Sequence, residues 1–418
     1  MNKDNKNLLE NFISLGALQI ISYVIPLLTL PYQSRVLGVE KFGLVYFAYA
    51  FMTYFMVLTD FGFNLSATRE VAVNRHNKNN ISNIFSSVTC IKILLVVISY
   101  LVLLIVSLFV PKIHDNWLIF QLSFLMVIGN AIYPVWFFQG MERMKYITFL
   151  NILAKVLFLI LLFVFVKHQS DYILVPLLNS LGFLVSGIIG MYFAIKHLGA
   201  KLYIPSFNSI KKQFKYSSEF FLSRVSVTLY TNTNSFCLGL ISSTVMVGYY
   251  VAAEKIYAAI GGLVCPLTNA IYPFIAKNKD IKLFRKIFIG SIIINIFICS
   301  FVFIFAPQIV NIFYGAEMLK ANEVLRIFCL ITLVSVPHML IGYPLLGAMG
   351  YTKEVNASVV ISSIIHIIGL ATLYIIGKIN IYSIAYMAMI TETLIFILRG
   401  YWVCKYKLLN VKRRMYEK

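Results

Sequence analysis

Six ionisable side chains sit where charge is expensive. Asp60, Lys155, Arg224, Glu254, Lys255 and Glu392 each fall inside a long apolar run. A charge at the centre of a membrane helix costs at least about 2.5–3.5 kcal/mol, so each of them must either pair with another group or line a wet cavity. Lys155 is eight residues into its run, about 12 Å deep at about 1.5 Å per residue, and Glu254 is similarly placed. Lys92, Arg326 and Arg399 lie nearer run ends and are expected to snorkel toward the headgroups. His338 and His366 are deep and read as satisfied packing residues. The chemistry this pattern suits is the holding and passing of a charged group. The sequence shows no glycine-rich phosphate loop, no HExxH and no Ser-His-Asp set that can be placed, so neither an enzyme nor an ATP-driven pump is expected. The six cysteines form no CxxC pair and imply neither a disulfide framework nor a metal site.

The elements that must position these residues follow from composition. Of the 418 residues 60% are hydrophobic and 12% charged, against about a quarter charged in a soluble domain. The apolar residues recur in continuous runs of about 20, the length a helix needs to cross hydrocarbon of about 30 Å. Barrel strands would show weak alternation over about 10 residues instead. The expectation is an all-α integral membrane protein of about twelve helices, near 8–31, 42–66, 81–110, 117–139, 147–167, 172–195, 220–241, 247–276, 287–310, 322–349, 355–376 and 381–404. The N-terminal segment leads into the first run without a small-residue cleavage motif and reads as a retained helix.

Lysine and arginine set the orientation. With the N-terminus cytoplasmic, 24 of the 36 lie in cytoplasmic segments, six on the far side and six inside runs. Both termini are therefore expected in the cytoplasm. The net charge of +20 is accounted for by topology and implies no nucleic-acid partner. The longest cytoplasmic loop, about 196–219, carries the basic stretch KKQFKYSSEF, read as a solvated linker at the membrane surface. It divides the chain into six-helix bundles at 1–200 and 216–418, joined by a linker at 201–215. Pro134 with Gly140 and Pro344 with Gly350 close the fourth and tenth runs at the same six-residue spacing. Gly43 and Gly248 open the second and eighth. Such matches fit parallel repeats related by an axis along the membrane normal. Polar residues recur on one face of the seventh run (Ser223, Ser226, Tyr230, Thr233 and Cys237, beside Arg224, Thr231 and Asn234) and of the first (Gln19, Ser22, Pro26, Thr29). These faces are expected to line water. Pro26, Pro266 and Pro273 should loosen their helices.

Several segments resemble the Wzx-type O-antigen flippases of the multidrug/oligosaccharidyl-lipid/polysaccharide flippase superfamily. They are LPYQSRVLGVEKFGLVYFA (30–48), DFGF (60–63) followed by SATRE (66–70), PVWFFQGMERM (134–144), VGYYVAAEKI (247–256) and, more loosely, PLLGAMGYTKE (344–354). The resemblance spans essentially the whole chain. It implies a MATE-like fold of two bundles around a central cavity that opens alternately to each side. It implies a bacterial inner-membrane protein that moves an undecaprenyl-pyrophosphate-linked oligosaccharide from the cytoplasmic to the periplasmic leaflet, among membrane lipids and with a polysaccharide polymerase and chain-length regulator as further partners. By family position Arg35, Asp60, Arg224, Glu254 and Lys255 fall on or beside the cavity helices, with Arg224, Lys255 and Asp60 expected in one aqueous cleft. Lys155, on the fifth run, carries over less directly. No cofactor is expected, and a carboxylate such as Asp60 or Glu254 could couple transport to the proton gradient. The rival readings are a membrane polysaccharide polymerase or glycosyltransferase, which would place catalytic groups on a large outer loop, and a drug or cation antiporter of the same fold.

Overall fold

The computed structural model describes the backbone of residues 3–409 and, within that range, all side chains except those of residues 3–21, 23, 222–224, 226, 227, 229 and 230. Gln19, Ser223, Arg224, Ser226 and Tyr230 therefore lie outside the described side chains, as do the basic residues after 409. Every regular element among the described residues is helical, with no strand. In chain order the helices are α1 (Lys3–Asp60), α2 (Phe63–Val73), α3 (Lys78–Phe109), α4 (Pro111–His114), α5 (Trp117–Ile132), α6 (Val135–Gly140), α7 (Met144–Phe165), α8 (Leu174–Lys196), α9 (Phe207–Ile241), α10 (Thr244–Asn278), α11 (Ile281–Ile304), α12 (Ala306–Tyr314), α13 (Ala321–Leu340), α14 (Thr352–Ile375) and α15 (Ile381–Lys405). The chain forms two compact units, Met1–Thr228 and Leu229–Lys418.

Ten stretches among the described residues are long and apolar enough to cross a membrane, where the sequence suggested twelve. The difference has identifiable causes. The first two expected runs join in one stretch, Val24–Val73, across a break at Gly38, whose φ of 68° and ψ of 169° interrupt α1. The run expected over 220–241 includes side chains outside the described set.

The membrane-facing logic is plainest in α3. Its buried face carries Ser82, Ser86, Lys92, Ser99 and Ser107, while Ile93, Leu94, Val97, Leu101, Ile105 and Leu108 are exposed. In a lipid solvent the apolar residues can face outward, so small polar ones are left to join helices. Ser86 donates to the Lys201 carbonyl at 3.0 Å and accepts from the Tyr203 amide at 3.1 Å, which pins the extended segment before α9. Small residues serve α5 and α8 in the same way: a Cβ at Gly187 would come within 2.6 Å of the Gly129 carbonyl oxygen.

The DFGF segment is a turn. Asp60 ends α1, and the chain reverses through Phe61 (φ 44°) and Gly62 (φ 78°) into α2. A Cβ at Gly62 would meet the Phe221 amide and the Ser217 carbonyl at 3.0 Å, so both the left-handed backbone and the close approach require glycine. The Phe61 ring stacks near-parallel on Phe214 and Phe221 at 4.5 and 4.6 Å. Ser66 and Ser217 share a buried hydrogen bond of 2.7 Å, and the Gln213 amide donates to the Glu70 carboxylate. The stretch KKQFKYSSEF is the first part of α9, docked through Gln213 and Ser217 while its lysines stay exposed. The non-helical connection is confined to residues 197–206 before it, because Phe214, Gln213 and Ser217 recur at helical spacing on the face that meets α2.

The segment PVWFFQGMERM completes this corner. Pro134 stops α5, and α6 crosses α2 where a Cβ at Gly140 would lie 2.6 Å from Val71 Cβ. Thr68 donates to the Trp136 carbonyl at 3.1 Å. In the following loop Arg75 donates to Glu142 at 2.7 Å and holds that carboxyl below the usual carboxylate range.

In the second unit α13 is the most enclosed helix and touches α10, α11 and α15. It ends in a wide, π-type turn, Ile341–Leu346, where Gly342 has a ψ of −117°. Pro344 supplies no backbone N–H to the turn before it, so the helix cannot continue regularly there. Gly350, with φ of 94°, then turns the chain into α14.

Candidate functional site

A cavity of about 430 Å³ lies wholly within the second unit. α10 contributes Tyr250, Glu254 and Ala258 at four-residue steps, together with Lys255 and Tyr257. α13 contributes Phe328, Ile331, Ser335 and His338 at three- and four-residue steps. Thr391 and Glu392 of α15, His366 of α14 and Asn234 of α9 close the wall. Helical spacing thus turns polar residues scattered along the chain from Asn234 to Glu392 onto one surface.

Three charged groups on that wall, Glu254, Lys255 and Glu392, were legible in the sequence. Lys255 Nζ lies 3.9 Å from Glu254 Oε2, with their side chains 39% and 23% exposed. A pair so open to the cavity is weakly bound in energy terms and leaves Lys255 available to another anion.

Deeper in the wall is a hydrogen-bonded chain of three ionisable residues. Arg399 Nη1 donates to His338 Nδ1 at 3.2 Å and to the His338 carbonyl at 2.8 Å, while its Nε donates to Ser358 Oγ at 3.0 Å. An arginine can only donate, so His338 Nδ1 carries the lone pair and its Nε2–H donates to the Glu392 carboxylate. Arg399 and His338 are buried, at 7% and 6% exposure. Arg399 was expected to snorkel; it turns inward to His338 and Ser358, sharing the His338 carbonyl with the Ile341 amide. The spacing of seven residues between Glu392 and Arg399 puts both on one face of α15, and that is the signal sequence reading passed over.

His366, read from sequence as a packing residue, is fully buried and joins the same wall. Its Nε2 lies 3.0 Å from Asn234 Oδ1 and its Nδ1 2.7 Å from Thr391 Oγ1. Asn234 in turn donates to the Tyr250 hydroxyl at 3.0 Å.

The remaining expected site residues belong to the first unit. Asp60 is buried at 7% exposure and lies within electrostatic reach of Lys92, itself only 4% exposed. Lys92 was expected to snorkel and is instead on the serine-lined inner face of α3. Lys155 Nζ donates to Ser22 Oγ at 2.7 Å. Arg35 is exposed. The Arg224 side chain lies outside the described residues. Of the charges singled out at depth, the structure brings Glu254, Lys255 and Glu392 onto one cavity wall.

A family model described as "Polysaccharide biosynthesis protein" matches residues 8–279. A protein of Escherichia coli (strain K12) named "Putative O-antigen transporter" is 34% identical over 278 residues, covering 66% of this chain and 67% of its own length. One of the same name from Shigella dysenteriae is 29% identical over 367 residues, 87% of this chain and 91% of its own. Among solved structures, an inward-facing multidrug resistance MATE family transporter of the MOP superfamily aligns with a TM-score of 0.70 at 14% identity, over 96% of this chain and 99% of that one. The lipid II flippase MurJ in an inward closed conformation aligns with a TM-score of 0.70 at 18% identity, over 96% and 89%. At these identities the structural likeness speaks for the fold alone.

Proposed function

The chain belongs to the polysaccharide biosynthesis protein family, as a multi-pass membrane protein of the Wzx type within the MOP flippase superfamily, and from that premise we propose that it carries undecaprenyl-pyrophosphate-linked oligosaccharide units from the cytoplasmic to the periplasmic leaflet of the inner membrane by alternating access. A pyrophosphate and its sugars cannot cross hydrocarbon unaided, because each unpaired polar group costs several kcal/mol. A polar chamber can take the headgroup while the polyprenyl tail stays in lipid. The observation that carries the reading is the cavity of about 430 Å³ with Glu254, Lys255 and Glu392 on its wall. Lys255 is the cation for the diphosphate, and the tyrosines and amides around it suit sugar hydroxyls. Arg35, Asp60, Lys155 and Arg224 are further candidates for the headgroup's path. The charge bias of 24 to six supports cytoplasmic termini, and release on the far side would hand the unit to a polymerase.

A second reading has one observation in its favour. Glu254 and Glu392 with Tyr250, Tyr257 and Phe328 would also suit an organic cation, through carboxylates and aromatic faces, as in a drug antiporter of this fold. Deletion separates the two. The flippase reading expects surface polysaccharide to vanish while complete lipid-linked units accumulate, and expects spheroplasts probed from outside to show those units confined to the cytoplasmic leaflet. Complete units reaching the periplasmic face unpolymerised would sink it in favour of a polymerisation role. Unchanged surface polysaccharide with heightened sensitivity to cationic drugs would favour the antiporter.

A further inference from the structure

The chain Arg399–His338–Glu392 separates two cavities. Glu392 and His338 line the one already described, and Arg399 lines a second, of about 350 Å³, together with Tyr343 and Pro344 of the turn that ends α13. Arg399 also fills that turn: a Cβ on Gly342 would lie 2.7 Å from its Nη1. One guanidinium therefore holds three things at once, namely the His338 Nδ1 lone pair, the His338 carbonyl at the start of the break, and the space beside Gly342.

We propose that His338 is a proton-binding site whose occupancy sets the conformation of the break at Ile341–Leu346. The imidazole Nδ1 has a single lone pair, and Arg399 Nη1–H occupies it. A proton arriving from the Glu392 cavity can bind Nδ1 only if Arg399 withdraws, since two N–H groups cannot share that position. The resulting imidazolium keeps its Nε2–H on the Glu392 carboxylate, which balances the new charge. Arg399, displaced toward the second cavity, no longer caps the His338 carbonyl or fills the gap at Gly342, and a turn already interrupted by Pro344 loses its side-chain prop. The proton and Arg399 compete for one atom, and the loser determines the shape of α13. π-type turns inside helices occur frequently at functional sites.

Other charged or titratable groups face this site from each neighbouring helix. α10 presents Glu254, Lys255, Tyr250 and Tyr257 to the shared cavity, α14 presents His366, and the turn itself presents Tyr343. Glu254 is balanced by Lys255 at 3.9 Å. His366 is held by Asn234 and Thr391 and lies within electrostatic reach of Glu392, so a charge there would oppose a second one on His338. Of the two histidines on this wall, His338 is the one whose ring nitrogen is occupied by a cation.

The test is hydrogen–deuterium exchange of the full-length protein in lipid nanodiscs, at about pH 5.5 and about pH 7.5, with labelling times scaled for the intrinsic exchange rate. In the parent, the segment 339–350 should lose at least about fivefold in protection at the lower pH, as a local opening would require. His338→Gln, which keeps a polar side chain but does not titrate, should show no such difference. Gly342→Ala, whose methyl takes the place of the guanidinium end, should be poorly protected at both. Equal protection at both pH values in the parent would overturn the proposal, as would an acid-induced opening that survives in His338→Gln. The readout needs no substrate, so it stands or falls independently of what the protein transports.

Discussion

Replacing Arg399 by alanine is expected to cost more stability than any other single truncation in the second unit. The guanidinium is buried and makes three hydrogen bonds, to His338 Nδ1, to the His338 carbonyl and to Ser358. Alanine would leave the Glu392 carboxylate without the cation behind its histidine, the His338 carbonyl with the Ile341 amide as its remaining donor, and a void where the side chain packed. Breaking a buried charged network from one side typically costs about 3–5 kcal/mol, much more than the loss of a surface pair, at about 0–1 kcal/mol. Arg399→Lys should be intermediate, because an ammonium can satisfy the carbonyl but cannot span both His338 and Ser358. The check is the temperature at which detergent-solubilised protein loses its monodisperse peak. The parent should survive heating that removes nearly all of Arg399→Ala, and Arg399→Ala combined with Glu392→Gln should recover part of the loss. An alanine variant as heat-resistant as the parent would mean the network is idle.

The second large effect concerns transport. Lys255→Glu would set a new carboxylate beside those of Glu254 and Glu392 on one cavity wall and remove the ammonium that offsets them. A unit charge about 7 Å away in an effective dielectric of about 20 is worth about 2 kcal/mol, and reversing its sign moves twice that. Lys255 is 39% exposed and solvent screening reduces the figure, so the expected outcome is a fall in translocation of at least about tenfold, by the usual conversion of about 1.4 kcal/mol per decade. Lys255→Arg should retain most of the activity, since arginine binds phosphate at least as well. The measurement is the initial rate of unit translocation in vesicles carrying equal amounts of each variant. A Lys255→Glu rate equal to the parent's would remove this cavity from the headgroup's path.

The fold was legible in the sequence because lipid imposes a simple rule. A helix that crosses hydrocarbon must be long and apolar whatever it packs against, so the runs announce themselves. Helix ends and breaks were less legible. Gly38 interrupts α1 through its backbone angles, which composition does not encode, and KKQFKYSSEF looked like a solvated linker because Phe214 and Gln213 show their docking role only beside Phe61 and Glu70. The site was legible in part. Glu254, Lys255 and Glu392 stood out as charges at depth, and they share a cavity. Arg399 and Lys92 read as snorkelling residues in the sequence because distance from a run end says nothing of direction. Arg399 points inward to the His338 carbonyl, and Lys92 lies on the serine face of α3. His338 and His366 looked like isolated packing residues, since the partners that give them meaning, Glu392 and Asn234, are 54 and 132 positions away.

The central claim, that this chain moves a lipid-linked oligosaccharide between leaflets, is tested most directly with the purified protein in vesicles. Undecaprenyl-pyrophosphate carrying a short fluorescent oligosaccharide is placed in both leaflets, and a membrane-impermeant reductant then bleaches the outer one. Vesicles without protein should stop at about half the signal, because a diphosphate-bearing headgroup does not cross hydrocarbon unaided. Vesicles with the parent protein should continue toward full bleaching, and Lys255→Glu should slow that second phase. A plateau at about half in the presence of correctly folded parent protein, under an imposed proton gradient of either sign as well as without one, would contradict the account.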